Sequence, residues 1–418
     1  LVNLALIAVL ALYPAIFAVV MRRLVRAFGP AALTAAPFVW VSTELGRSYI
    51  FIGFPWVLLG YSQASVLPIA QSASLFGVYG VSALVAASSA AAAGWATRPA
   101  RERWRPAVAT VVLLASLSGW GAHRATVAAW THTGVPVRVG LVQGNVDQGQ
   151  KFDAARAAAA FRAQLEMTRL ATRLGAALVV WPESSTPFLF EEDPAGANQL
   201  RSLARPTHAA ILFGSDQIER GTPRKYYNAA FFVDANGADA GVYRKMHLVP
   251  FGEYVPFKQL FFFAAPLVEA VADFSPGQTP TVFAFGPHRL STAVCYEIVY
   301  GSLVRRFVQN GSELLTTITN DAWFGPTSAP YQHFEQASMR AIEEGRYLVR
   351  AANTGISGIV DPYGHVVERT AIYESALTVG EARFLQAGTL YARVGDVFAY
   401  ASVALTVALA ALAGRRVQ

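Results

Sequence analysis

The sequence predicts an α/β domain, with sheets covered by helices, joined to a bundle of membrane-spanning α-helices. Two observations carry that prediction. Long uncharged runs occupy the first 122 residues and the C-terminal end, whereas charges are frequent from about Val135 to Phe384. Inside that middle stretch, near-continuous apolar segments alternate with helical ones. The 418 residues are 54% hydrophobic and only 15% charged, with a mean hydropathy of +0.35. Soluble domains carry about 25% charged residues, so the composition points away from an ordinary cytosolic enzyme. Thirty-three Gly, 22 Pro and 12% aromatic residues exclude a coiled coil or a low-complexity chain. The formal net charge of +7 is carried by Arg in short clusters beside apolar runs. That is the pattern of a membrane partner rather than a nucleic acid. The lone Cys295 permits no internal disulfide.

Residues 1–20 carry no charge and end at Arg22, Arg23 and Arg26, which suits a first span of about 20 residues. They lack a basic n-region and a clear cleavage site, so they do not read as a signal peptide. Ala27 to Thr43 is a second uncharged stretch, closed by Glu44 and Arg47; these two are expected as interfacial anchors, with contact to lipid headgroups as the alternative. Ser48 to Thr97 runs 50 residues without a charge, too long for one helix. The Pro, Gly and aromatic residues of GFPWVLLGYSQ (53–63) suit an interfacial or re-entrant segment, leaving about Leu67 to Trp95 as the third span. Pro106 to Ala122 makes a fourth, and Val397 to Gly414 the last. The expected domains are therefore a transmembrane region over 1–134, a large α/β domain over 135–384, and a C-terminal span with a short tail over 385–418. Arg clusters at 22–26, at 98–105 and at Arg415 and Arg416 are assigned to the cytoplasm, which puts the α/β domain on the outer face. Leu1 then lies outside, so an odd number of upstream spans is expected to be lacking.

The α/β domain opens with a strand at 137–146, a helix at about 153–174 and a strand at 176–184. AAILFGSDQI, KYYNAAFFVD, RLSTAVCYE and ELLTTITND follow as apolar strands ending in polar residues, the pattern of sheets buried on both faces. Sites gather at such strand ends. Three of them carry Glu183 in WPESS, Lys245 in YRKMHLVPFGEYVPF and Cys295 in STAVCYEIVYG. Singly, a Cys reads as a small buried hydrophobe and a Lys or Glu as solvated surface. Together they supply a base, a charge stabiliser and a nucleophile, the requirements of acyl transfer through a thioester.

With these residues the domain resembles the carbon-nitrogen hydrolase, or nitrilase, superfamily. GFPWVLLGYSQ, QGNVDQGQKFD, WPESSTPF, YRKMHLVPFGEYVP, CYEI and NDAWFGP follow in order, and with them the whole chain resembles the apolipoprotein N-acyltransferases, membrane-embedded members of that superfamily. The resemblance implies a nitrilase-like four-layer αββα sandwich. It implies about seven spans before the domain, where four are counted, so about three upstream spans are expected to be lacking. It also implies a ping-pong reaction in which Cys295 takes an acyl chain from a phospholipid and passes it to the amine of a diacylglyceryl-modified apolipoprotein. Glu183 then handles the proton, while Lys245 and the Tyr296 N–H hold the oxyanion. A thiol beside this ammonium is expected to have a lowered pKa.

Glu253 matches a carboxylate that orients the Lys or assists proton transfer. Tyr296 and Glu297 match residues required beside the nucleophile, Glu297 at the oxyanion turn or the incoming amine. Asn320, Asp321 and Trp323 are expected in the pocket wall or in a turn. Phe152 stands where the family carries Trp. His247 and His333 read as structural. The apolar stretch 257–274 is expected as an arm dipping among lipid headgroups, and GFPW and GYSQ as lying under the mouth of the domain. No cofactor or metal is implied. The remaining expectations are a monomer in the bacterial inner membrane. The alternatives are a membrane-tethered amidase using water, and a non-catalytic membrane adaptor.

Overall fold

The computed structural model describes residues 2–51, 53–147, 154–256 and 273–417. The chain forms two compact units, Leu1–Ala128 with Gly388–Gln418, and Ala129–Ala387.

The first unit is helical. Helix α1 (Val2–Phe28) runs into a 3-10 turn at Gly29–Ala35 and then α2 (Ala36–Tyr49). Gly29 has φ +68, a conformation that lets the chain reverse. The Phe17 ring meets Trp40 edge-on at 5.3 Å; because the two lie at similar distances from the turn, α1 and α2 form an antiparallel hairpin. The 3-10 turn runs directly into α2, so the helical run from Gly29 to Tyr49 covers most of the second expected span, Ala27 to Thr43. After a short turn, α3 (Leu67–Ala70), come α4 (Ala73–Thr97) and α5 (Trp104–Val127). The third span therefore starts about six residues later than expected, and Gly77 breaks it at φ 66. Among the described residues, four segments are long and apolar enough to cross a membrane: Leu6–Tyr49, Ala73–Thr97, Trp104–His132 and Val397–Arg416.

The segment 53–63 is not a continuous helix. Its freed backbone is satisfied by side chains: Leu59 N–H donates to Glu44 Oε1 at 2.6 Å, and Gly60 N–H to Ser82 Oγ at 2.8 Å. Irregular backbone at membrane depth requires such partners. Glu44 is accordingly buried inside this unit, a correction to its reading as an interfacial anchor.

The second unit contains two six-stranded sheets. One has the order β12-β1-β2-β3-β4-β5 and the other β11-β10-β9-β8-β7-β6. The first sheet comprises β1 (Val135–Gln143), β2 (Leu178–Val180), β3 (Ala210–Glu219), β4 (Lys225–Val233), β5 (Asp239–Arg244) and β12 (Ala376–Phe384). The second comprises β6 (Val282–Phe285), β7 (His288–Val294), β8 (Leu314–Thr319), β9 (Leu348–Ala352), β10 (Gly358–Val360) and β11 (Val366–Arg369). Pairs β1–β2, β2–β3, β7–β8 and β8–β9 are parallel; the rest are antiparallel.

Helices α6 (Ala154–Arg173) and α7 (Pro194–Thr207) cover the first sheet through Phe161, Leu165, Leu200 and Leu203, which pack on Trp181, Phe213 and Phe231. Asp193 caps α7 by accepting the Gly196 N–H at 2.9 Å, and Pro194 starts it. Phe232, next to Phe231 on β4, faces the other sheet, its ring 5.3 Å from Phe283. Helices α8 (Gly301–Gln309) and α9 (Ala329–Glu344) complete the second half. The result is the expected αββα sandwich.

Candidate active site

The chemistry-bearing residues follow strand ends, as expected, but the strands stop earlier than the apolar runs suggest. β2 ends at Val180 and β7 at Val294, so Glu183 and Cys295 both lie in the connections that follow. Pro182 and Ser185 are pinned to β3: Gly214 N–H donates to the Pro182 carbonyl at 3.1 Å, and Ser185 N–H to the Gly214 carbonyl at 2.9 Å. A Cβ on Gly214 would come within 2.5 Å of Ser184 N and 2.7 Å of Glu183 Cα. Glycine is required there for close approach.

Glu183 points into a buried polar network. Its Oε1 accepts from Asn228 Nδ2 at 2.7 Å and its Oε2 from the Asn320 N–H at 2.9 Å. The same Asn228 amide donates to Glu253 Oε1 at 2.8 Å. Lys245 Nζ donates to Glu253 Oε1 at 2.9 Å and lies 3.5 Å from Glu183 Oε1. Glu253 Oε2 in turn accepts the Val249 N–H at 2.7 Å. Asn228 on β4 and Lys245, just past β5, are tied by backbone as well: Lys245 N–H donates to the Asn228 carbonyl at 2.8 Å. Lys245 is 1% exposed. Burial works against its charge, but Glu253 and then Glu183 hold the ammonium well above the usual lysine range.

Cys295 opens a 3-10 turn, Cys295–Val299, with φ 53, and is 7% exposed. A left-handed non-glycine residue is strained and persists only where its surroundings impose it. Burial, followed by the Glu183 charge, pushes the thiol well above the usual range; Lys245 opposes this and does not prevail. The expected lowering of the thiol pKa by the ammonium is thus corrected, because desolvation and a nearby carboxylate outweigh one cation.

Glu297 is fully buried. Its Oε1 accepts from the Tyr243 hydroxyl at 2.8 Å and from the Met246 and His247 N–H groups at 2.6 and 2.9 Å; its Oε2 accepts the Val294 N–H at 2.8 Å. It therefore ties the Lys245 segment to the cysteine turn. Asn320 is buried and accepts from Asn353 Nδ2 at 2.9 Å. Tyr296 is buried beside the nucleophile, whereas Trp323 is 59% exposed. The His247 ring packs on Tyr300 at 3.8 Å, and burial with the Lys245 charge pushes its pKa down to about 4. Phe152 and residues 257–272 of the expected arm lie outside the described residues. Sequence reasoning missed Asn228, although it is the one strongly polar side chain inside the apolar run of β4, and Asn353.

A thiol, carboxylates and an ammonium converging at the ends of two packed sheets are what carbon-nitrogen hydrolases bring together, and the family model of that description matches residues 138–384. A second model, for the apolipoprotein N-acyltransferase N-terminal domain, matches residues 1–91. The apolipoprotein N-acyltransferase of Geobacter metallireducens is 41% identical over 98% of this chain and 80% of its own length. Those of Azotobacter vinelandii and Methylococcus capsulatus are 37% and 34% identical, over 94% and 87% of this chain and 76% and 70% of their own. A solved mutant of the Nesterenkonia AN1 amidase from the nitrilase superfamily is 22% identical, with a TM-score of 0.47, covering 60% of this chain and 92% of that one. The chain belongs to the apolipoprotein N-acyltransferase family.

Proposed function

We propose that the protein transfers a fatty acyl chain from a phospholipid, through a thioester on Cys295, to the α-amino group of a diacylglyceryl-modified cysteine at the start of an apolipoprotein. In the first half the thiol gives its proton to Glu183 as the sulfur attacks the ester carbonyl carbon. The carbonyl electron pair moves onto oxygen, where Lys245 and the Tyr296 N–H stabilise it. Collapse breaks the ester C–O bond, Glu183 returns the proton to the departing oxygen, and a lysophospholipid leaves. In the second half the amine nitrogen attacks the thioester carbon. The C–S bond breaks, and the surplus amine proton passes by way of Glu183 to the sulfur. The products are an amide and the original thiol.

The observation that carries this reading is the buried Cys295 set in one polar cluster with Glu183 and the Lys245 ammonium, whose Nζ lies 3.5 Å from Glu183 Oε1. Moving a proton from Cys295 to Glu183 leaves the net charge of the buried cluster unchanged, so nucleophile activation needs no new buried charge. Glu253 and Asn228 act by orienting Lys245 and Glu183. The reading includes a monomer in the inner membrane, crossing it several times, with the α/β domain on the outer face; the Arg clusters at 22–26, 98–105 and the C-terminal tail support that orientation.

The test is to incubate the full chain in detergent with acyl-labelled phospholipid. A hydroxylamine-sensitive label is expected on the protein and none on Cys295→Ala. A labelled Ala variant removes Cys295 from the reaction, and a label that discharges only to water favours an amidase-like hydrolase.

A further inference from the structure

A second buried polar cluster lies behind the cysteine turn, and the mechanism above makes no use of it. His333 on α9, Asp321, Arg350 on β9 and Thr319 at the end of β8 are all fully buried. His333 Nδ1 lies 3.0 Å from Asp321 Oδ1. Arg350 donates to Asp321 Oδ2 at 2.8 Å and approaches His333 Nδ1 at 3.1 Å. The Thr319 hydroxyl donates to Asp321 Oδ1 at 2.8 Å. Gly355 leaves room for the carboxylate, since a Cβ there would lie 2.1 Å from Asp321 Oδ2. The ring so held turns its other nitrogen outward: His333 Nε2 is 3.2 Å from the carbonyl oxygen of Cys295.

Burying this many polar groups is weak support for stability, because desolvation offsets much of the attraction. The geometry gives them a different task. The Cys295 carbonyl and the Tyr296 N–H belong to one planar peptide unit, in which C=O and N–H point in opposite directions. Whatever fixes that carbonyl also aims that N–H. Cys295 itself is left-handed at φ 53, so the unit is held against the local steric preference of an L-residue. Both the neutral ring carrying its proton on Nε2 and the imidazolium present an N–H to the carbonyl.

We infer that His333, braced by Asp321 and Arg350, is a positioning residue that aims the Tyr296 N–H at the oxyanion formed on Cys295. The inference rests on the proposed acyl transfer, and its test separates the two. His333→Gln retains an N–H donor near the same carbonyl, whereas His333→Met is of similar length and has none. Two rates are measured on the full chain in detergent: acylation of Cys295 by labelled phospholipid, which forms an oxyanion, and alkylation of Cys295 by iodoacetamide, which forms none. His333→Met is expected to lower acylation about tenfold to a hundredfold while alkylation stays within about twofold of the parent. His333→Gln should recover most of the acylation. Equal acylation by the Met and Gln variants, or alkylation falling in step with acylation, overturns the inference. Absence of acylation in the parent protein itself contradicts instead the acyl transfer on which it rests.

Discussion

Asn228 shows how much of this site depends on neutral groups. Its single amide nitrogen donates to both Glu183 and Glu253, setting the two carboxylates around one ammonium. Asn228→Ala leaves both carboxylates short of a buried donor, a loss of about 1–3 kcal/mol. Acylation of Cys295 should fall by about tenfold to a hundredfold, read as the initial rate of label incorporation; an unchanged rate would show that Lys245 alone holds the pair. Glu183, Lys245 and Cys295 were legible in the sequence because each puts an ionisable group at the end of an apolar run, and Glu253 only through the family resemblance. Asn228 was not, since an amide inside a strand carries no charge contrast and its partners lie on other strands. The protonation of the thiol was illegible for a related reason: it depends on burial and on Glu183, neither of which sequence order measures.

At the scale of elements, apolar runs located most strands but not their ends. The run containing Cys295 continues past Val294, while the backbone turns there because Glu297 accepts the Val294 N–H and Cys295 adopts φ 53. The run containing Glu183 likewise outlasts β2. That connection is fixed by β3 through Gly214, whose lack of a side chain lets the backbone of 182–184 lie against it. Gly214→Ala is expected to push this connection away and lower acylation by about tenfold or more, consistent with the sensitivity of catalysis to misplacements near 1 Å. Thermal unfolding and initial acylation rates of the same preparation check this, and full activity would show that the connection has room to shift. In the helical unit, hydropathy found the long apolar segments but not the residue at which the chain reverses between the first two. The Phe17–Trp40 packing and the turn at Gly29 place that reversal.

For the molecule as a whole, membrane character, the αββα sandwich and the family are all written in the sequence. The buried charges that set the pH response are not. Glu344 on α9 is fully buried, and neither of its carboxylate oxygens has a hydrogen-bond partner among the described residues. Burial, reinforced by Glu343 and opposed by Arg340 and Arg346, pushes its pKa up to about 8 from 4.5. The folded state therefore holds a proton that the unfolded chain has released. Its contribution to stability is fully present below about pH 4.5 and is lost as the pH rises towards 8. Within that window it should fall by about 1.4 kcal/mol per pH unit. Glu344→Gln should flatten the fall in unfolding midpoint between pH 5 and 8; an unaltered slope in the variant would show that Glu344 is not its source.

The central claim is that one sulfur carries the acyl chain between two substrates. The most direct test isolates the labelled protein after it has reacted with phospholipid, removes the lipid, and adds a peptide beginning with diacylglyceryl-cysteine. The account predicts that label leaves Cys295 in a single turnover and appears on the peptide as a hydroxylamine-stable amide. Label that stays on the protein, or reaches the peptide without ever residing on Cys295, would contradict it.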